Sequence, residues 1–236
     1  MIDITYDVRA DANGKDPDSH SATLRRYHKL LWSKPLPNGA DFTLSATRPG
    51  TYLHHHSDLG EFFLASDSVM QTFSRWELTK HLVSQLPEVD ITTFQTLGYT
   101  IGGMMIFPGN RVDAKMTING ARGFTRRIAD RFDLTLECIR RHYDGQHSPL
   151  TDVLARYRDF FALFEDFPGY VDFFLLDDLV TPDGRDIRFF MPFDDFVFPA
   201  VPRDVASYME FRRRSMCFME ARNRRILNWC EWQRSP

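Results

Sequence analysis

Three arginines gather after a glycine-containing turn: Thr117-Ile118-Asn119-Gly120-Ala121-Arg122-Gly123 is followed closely by Arg126 and Arg127. A strand over 115–118 running into a helix from Ala121 would leave backbone N–H groups unpaired at the positive end of a helix. That geometry binds phosphate, through unsatisfied donors and the helix macrodipole. On this reading Asn119, Arg122, Arg126 and Arg127 hold a phosphate-bearing ligand, a nucleotide or nucleic acid. The turn matches neither the P-loop nor the dinucleotide fingerprint, and Asn-Gly forms a turn without any ligand. Basic side chains at a helix start also oppose the macrodipole, so an anion or an acidic segment must answer them.

Other residue groupings are weighed in the same way. Leu31-Trp32-Ser33-Lys34-Pro35 sets an aromatic and a lysine in a rigid loop after Arg25 and Arg26. Stacking plus cations of this type can hold a base and its phosphate, although a Trp can equally cover a core edge. Asp133 and Glu137, four apart on one helix face, are the candidate acid–base carboxylates; i,i+4 pairing with Arg141 explains Glu137 without chemistry. His54-His55-His56 cannot all face one way, and a metal held by His54 and His56 would need Asp58 or Glu61 as well. With no His-Glu-x-x-His and no Cys/His spacing of the zinc type, no metal site is expected. No nucleophile elbow or kinase signature occurs either, so the sequence assigns neither a reaction nor a cofactor.

The elements that would position these groups follow from periodicity and turn signals. Helices are expected from Ser21 to Trp32, from Ser68 to about Gln85, from about Ala121 to Tyr143, from Ser148 to Phe164 and from Arg203 to about Trp232. Strands are expected at Phe42–Ser45, Glu61–Ser66, Thr92–Phe94, Tyr99–Ile101, Met104–Phe107, Lys115–Ile118 as a hairpin partner, and Ile187–Phe190. Strands concentrate in the first half and helices in the second, which favours an α+β fold in which a mixed or antiparallel sheet packs with long helices. The expectation is one domain over 1–236, with a subdivision near 110 as the alternative.

Composition narrows the function classes. The 236 residues are 43% hydrophobic with a net charge of −3, which excludes a disordered chain. Three cysteines are too few for a disulfide scaffold, and Cys138, Cys217 and Cys230 are expected to be reduced thiols. The N-terminus has no signal-peptide pattern, and the longest apolar stretch, Leu97 to Pro108, is too short to span a bilayer. A cytoplasmic protein with no membrane partner is expected.

The small net charge is a cancellation. Residues 122–141 carry six Arg against three acidic residues, and residues 203–234 carry eight Arg against four. Residues 159–195 hold ten acidic residues against two Arg, and eleven of the 21 Phe lie between Phe160 and Phe198. The aromatic stretch reads as the main core. Its alternative is an aromatic, aspartate-rimmed surface that docks a protein partner in a non-catalytic interaction module. The two functional readings separate on where the arginines point. Convergence of Arg122, Arg126 and Arg127 with Arg25 or Lys34 on an open cleft favours a phosphate ligand. Neutralisation by Asp177, Asp178, Asp194 or Asp195 favours internal pairing.

The stretches Arg25–Lys34, Thr117–Gly123 and Asp130–Arg141 resemble an uncharacterised domain-of-unknown-function family found mainly in actinobacteria and their phages. The resemblance runs from about Asp7 to Ile226. It implies a bacterial or phage origin and a single domain, and it brings no activity, cofactor or catalytic residue.

Overall fold

The computed structural model describes residues 1–45 and 53–233; Arg234, counted in the basic C-terminal stretch, lies outside them. The chain opens with a short helix α1 (Pro17–His20) and then α2 (Ala22–Trp32). Ser21 caps α2 by accepting from Leu24 N–H, and Leu24, Tyr27 and Leu31 turn a buried face inward. β1 (Lys34–Pro35) and β2 (Asp41–Phe42) form a small ladder across the Asn38-Gly39 turn. β3 (Leu53–Ser57), β4 (Gly60–Ser68) and β5 (Met104–Pro108) make an antiparallel sheet in that order. Along β4, Phe62, Leu64 and Ser66 are buried while Glu61 and Phe63 face out, the period-2 pattern of a half-covered strand. β5 is buried at every residue.

Between β4 and β5 the chain departs from expectation. No helix runs from Ser68 to Gln85. Ser68 instead closes β4, its hydroxyl accepting from Met70 N–H and donating to Gly98 O, and Phe73 takes φ 57 while its N–H donates to Gln71 Oε1. These local side-chain bonds outcompete the helix, leaving only α3 (Lys80–Val83). The expected strand at Thr92–Phe94 is helical: Pro87 starts α4 (Glu88–Gly98), with Glu88 and Asp90 complementing the dipole in its first turn. A 3-10 turn at Ile101–Gly103, where a strand was expected, leads into β5.

In the second half the expected helix from Ala121 to Tyr143 is two helices, α5 (Ile118–Phe124) and α6 (Phe132–Tyr143). Ala129 and Asp130 both take positive φ, 51 and 60, which no continuous helix accommodates. The expected strand at 115–118 is absent too, since Thr117 is the N-cap of α5. Likewise the Ser148–Phe164 helix breaks at Tyr157 into α7 (Thr151–Arg156) and α8 (Arg158–Ala162). α9 (Phe167–Phe173) follows, and Ile187 makes a single bridge to Val180 in place of a strand. α10 (Val205–Trp232) matches expectation, opened by a capping box between Asp204 and Ser207.

The result is an α+β fold. Buried side chains form one hydrophobic cluster reaching from Ile2 to Ile226. Eight of the eleven clustered phenylalanines are buried in it, leaving Phe189 and Phe193 partly covered and Phe198 exposed. At its centre Arg222 of α10 is fully buried and has no carboxylate partner among the described residues. Its guanidinium donates to Gly102 O, Met104 O and Phe174 O at 3.2, 2.8 and 3.0 Å, joining α10 to β5 and to the end of α9. Burial lowers its pKa to about 10.

Candidate functional site

Arg122 points inward. It is fully buried in the last turn of α5, where Nη1 meets Asp67 at 3.0 Å, Nη2 meets Asp130 at 3.4 Å and Nε donates to Thr135 at 3.1 Å. Its guanidinium also lies over the rings of Phe107 and Phe132. The phosphate turn expected at Asn119-Gly120 is therefore not built. Thr117 Oγ1 accepts from Gly120 N–H, and α5 has only seven residues. Asn119 is half-buried, with an Oδ1 that finds no partner. Arg122 is neutralised by Asp67 and Asp130, not by the acidic stretch. Asp177 and Asp178 pair with Arg225, and Asp195 pairs with Arg141.

The remaining expected residues divide between core and surface. Asp133 is fully buried, bonded by Arg131 at 3.1 and 2.5 Å and by Phe190 N–H at 2.8 Å. Glu137 accepts from Arg140 and Arg141 at 2.7 Å each. Asp133 thus ties α6 to the Phe190 segment, while Glu137 is neutralised by two arginines of its own helix. Trp32 is fully buried, Arg25 is buried, and Arg26 is exposed across the Tyr27 ring. Lys34 sits over Trp32, Phe173 and Trp229, and burial lowers its pKa to about 8. His54 pairs with Glu61 at 2.7 Å, while His55 is buried against Phe42. Among the described residues no three His, Cys, Asp or Glu side chains are grouped to hold a metal ion.

Where the Arg122 ion pairs reach the surface, a cleft of about 690 Å³ opens. The end of β4 gives it Asp67, the following loop Arg75 and Trp76, the end of α4 Tyr99, and the α5–α6 link Arg126 and Asp130. Arg25, Arg26, Trp32 and Lys34 are not among its lining residues. Arg75 and Arg126 are exposed and make no ion pair with a described residue, as is true of Arg127. Arg9 stacks over the Tyr99 ring at 4.6 Å while bonded to Asp7.

The carboxylates here have unusual proton affinities. Burial pushes Asp67 up to about 7; Arg122 pulls against that shift and Asp130 adds to it. Burial likewise raises Asp130, opposed by Arg122 and Arg75. Asp18 of α1, beside Asp67, is pushed to about 8 by burial and by the charges of Asp67 and Asp16. Behind Asp18 lies a fixed hydrogen-bond chain. Trp32 Nε1–H donates to His28 Nδ1 at 3.0 Å, so the neutral imidazole carries its proton on Nε2 and donates it to Ser66 Oγ at 2.9 Å. Ser66 is then left to donate to Asp18. His28 stays neutral because burial, with the charges of Arg222 and Arg25, lowers its pKa to about 3.

The arrangement brings together two arginines without ion-pair partners among the described residues, aromatic rings and carboxyls whose pKa burial raises, a combination suited to acid–base chemistry on an anion. Asp18, Asp67 and Arg75 were not sequence candidates. Their one signal was polarity out of place: Ser66-Asp67-Ser68 closes a strand that is otherwise apolar on its inner face.

A family model described as "Family of unknown function (DUF6994)" matches residues 2–226 of this chain. Searches of curated proteins and of solved structures return no match.

Proposed function

We propose that this chain, which belongs to that family, binds a phosphate-bearing small ligand of the nucleotide class in the cleft between the end of β4, α4 and the α5–α6 link. The observation that carries this reading is that Arg75 and Arg126, without ion-pair partners among the described residues, share one cleft with Trp76, Tyr99 and Asp67. Arginine suits phosphate because its fork donates bidentately, and the rings offer a base a stacking surface. Arg122 serves as the buried counter-charge that keeps Asp67 and Asp130 from repelling the anion. Asp67 supplies acid–base capacity, since burial raises its pKa well above the usual carboxylate range, against the pull of Arg122. A bacterial or phage cytoplasm fits this ligand class and fits cysteines that form no disulfide among the described residues.

Calorimetric titration with mononucleotides and pyrophosphate tests the reading. Binding is expected, with about a tenfold loss of affinity when Arg75 and Arg126 are both changed to Ala. Asp67→Asn is expected to keep binding but to remove its pH dependence around neutrality. Absence of binding by every ligand, or affinity unchanged in the Arg75→Ala/Arg126→Ala variant, would sink the proposal.

A second reading, docking of a protein, rests on exposed apolar side chains. Phe124 is 78% exposed, Val197 60% and Phe198 54%, and the bond from Ala200 N–H to Arg126 O sets the two segments side by side.

A further inference from the structure

A different cleft, of about 630 Å³, runs along α10 from Arg213 to Arg224 and is faced by Arg188 and Phe189. Between its arginines α10 carries Cys217 and Ala221, four residues apart and both small, so the trough between the cationic ends is open. Eleven residues of helix separate Arg213 from Arg224, roughly 16 Å at 1.5 Å per residue.

Two of the four arginines lining this trough have no carboxylate partner among the described residues, and the other two share one. Glu210 is the carboxylate partner of both Arg213 and Arg214, at 2.8 and 2.6 Å. Those bonds hold Glu210 down to about 2, so it is ionised throughout the physiological range. Asp178, the one carboxylate lining the trough among the described residues, is already bonded by Arg225. Arg188 and Arg224 are exposed and make no ion pair with a described residue. Phe189 lines the trough wall and is backed by Phe193, stacked on it with centroids 4.3 Å apart.

We propose that this trough binds a linear chain of phosphates, as presented by a single nucleic-acid strand or by inorganic polyphosphate, independently of the cleft beside α5. Cations spaced along roughly 16 Å of helix engage successive phosphates of an extended anion, whereas a single phosphate reaches only one end. The Phe189 ring adds a contact for the bases of a strand.

Cys217 sits in the trough and reports occupancy. In the full chain carrying Cys230→Ser, with Cys138 buried, maleimide labelling reads Cys217. Oligo(dT) or inorganic polyphosphate at low salt is expected to slow labelling, and added salt to restore it. Fluorescence anisotropy of labelled oligo(dT) is expected to show about a tenfold weaker affinity and a shallower salt slope for Arg188→Ala/Arg224→Ala. Arg75→Ala/Arg126→Ala is expected to bind as the parent does, which separates this site from the nucleotide cleft. Protection by both polyanions identifies the phosphate chain as the feature recognised; protection by polyphosphate alone assigns the inorganic source, and by oligo(dT) alone the nucleic-acid strand. The proposal is overturned if neither polyanion slows labelling, if inorganic phosphate protects equally well, or if the folded Arg188→Ala/Arg224→Ala variant binds both polyanions unchanged.

Discussion

At the scale of single residues, the groups that looked most chemical became structural, and the reverse. Trp32, a candidate stacking residue, is a hydrogen-bond donor inside the core, Asp133 clamps α6 to the Phe190 segment, and Glu137 pairs along its own helix. Sequence spacing placed these residues correctly on their helices. It could not show which side of each helix the core would claim, because that depends on contacts far along the chain, such as Asp133 with Phe190. Asp18 is the complementary case, an unremarkable turn residue whose burial makes it basic. Its folded pKa of about 8 lies above the ordinary aspartate value of 3.8, so the folded state holds a proton that the unfolded chain has released. The stability this contributes is fully present below about pH 4 and is lost as pH rises towards 8. Thermal melts are therefore expected to show the parent losing Tm between about pH 5 and 8. Asp18→Asn, which cannot ionise, should lose less and stand on the order of 5 °C higher at pH 8. Parallel declines would assign the slope to other groups.

At the scale of elements, α2 and α10 were legible because capping residues bound a periodic apolar face. The break between α5 and α6 was not. Arg122, Asp130 and Thr135 all lie within a pattern that reads as helix, and the chain leaves the helix at Ala129 and Asp130, where Asp130 meets the buried guanidinium. The same limit hid α4, whose Thr92-Thr93-Phe94 has strand propensity, yet Phe94 turns inward and Arg212 of α10 lies over its ring. The turn before β5 shows how tightly these elements approach. A Cβ on Gly102 would lie 2.5 Å from Asn223 Oδ1 and 2.7 Å from Met219 O, and Gly102 N–H donates to that same Asn223 oxygen. Gly102→Ala must push α10 away from the turn and is expected to cost about 2 kcal/mol or more in urea denaturation. An unchanged midpoint would mean that the helix yields freely.

For the whole molecule, the segregated charge seen in the sequence is resolved mostly by short-range pairing, with Arg140 and Arg141 on Glu137 and Arg225 on Asp177 and Asp178. Part of the unpaired remainder lines two clefts, Arg75 and Arg126 in one and Arg188 and Arg224 in the other. Part of the apolar remainder, Phe124, Val197 and Phe198, is exposed on two segments joined by the Ala200–Arg126 backbone bond, and at this scale it predicts association. Sedimentation velocity is expected to show concentration-dependent self-association or complex formation that Phe124→Ser/Phe198→Ser removes; a monomer with the same solubility in both forms would discard the docking reading. Arg222 has an effect that reaches beyond holding the elements together. Bonded to carbonyl oxygens and the Met105 sulfur, with no carboxylate partner among the described residues, it fixes a permanent positive potential in the middle of the protein. Its charge, added to burial, keeps His28 unprotonated, and it eases the ionisation of Tyr170 against the burial that opposes it. The surroundings of His28 and Tyr170 are thus poled, favouring the neutral imidazole and the electron-rich phenol oxygen. Lys34, over the Trp32 ring, already feels this: burial, with the charge of Arg222 adding to it, lowers its pKa to about 8.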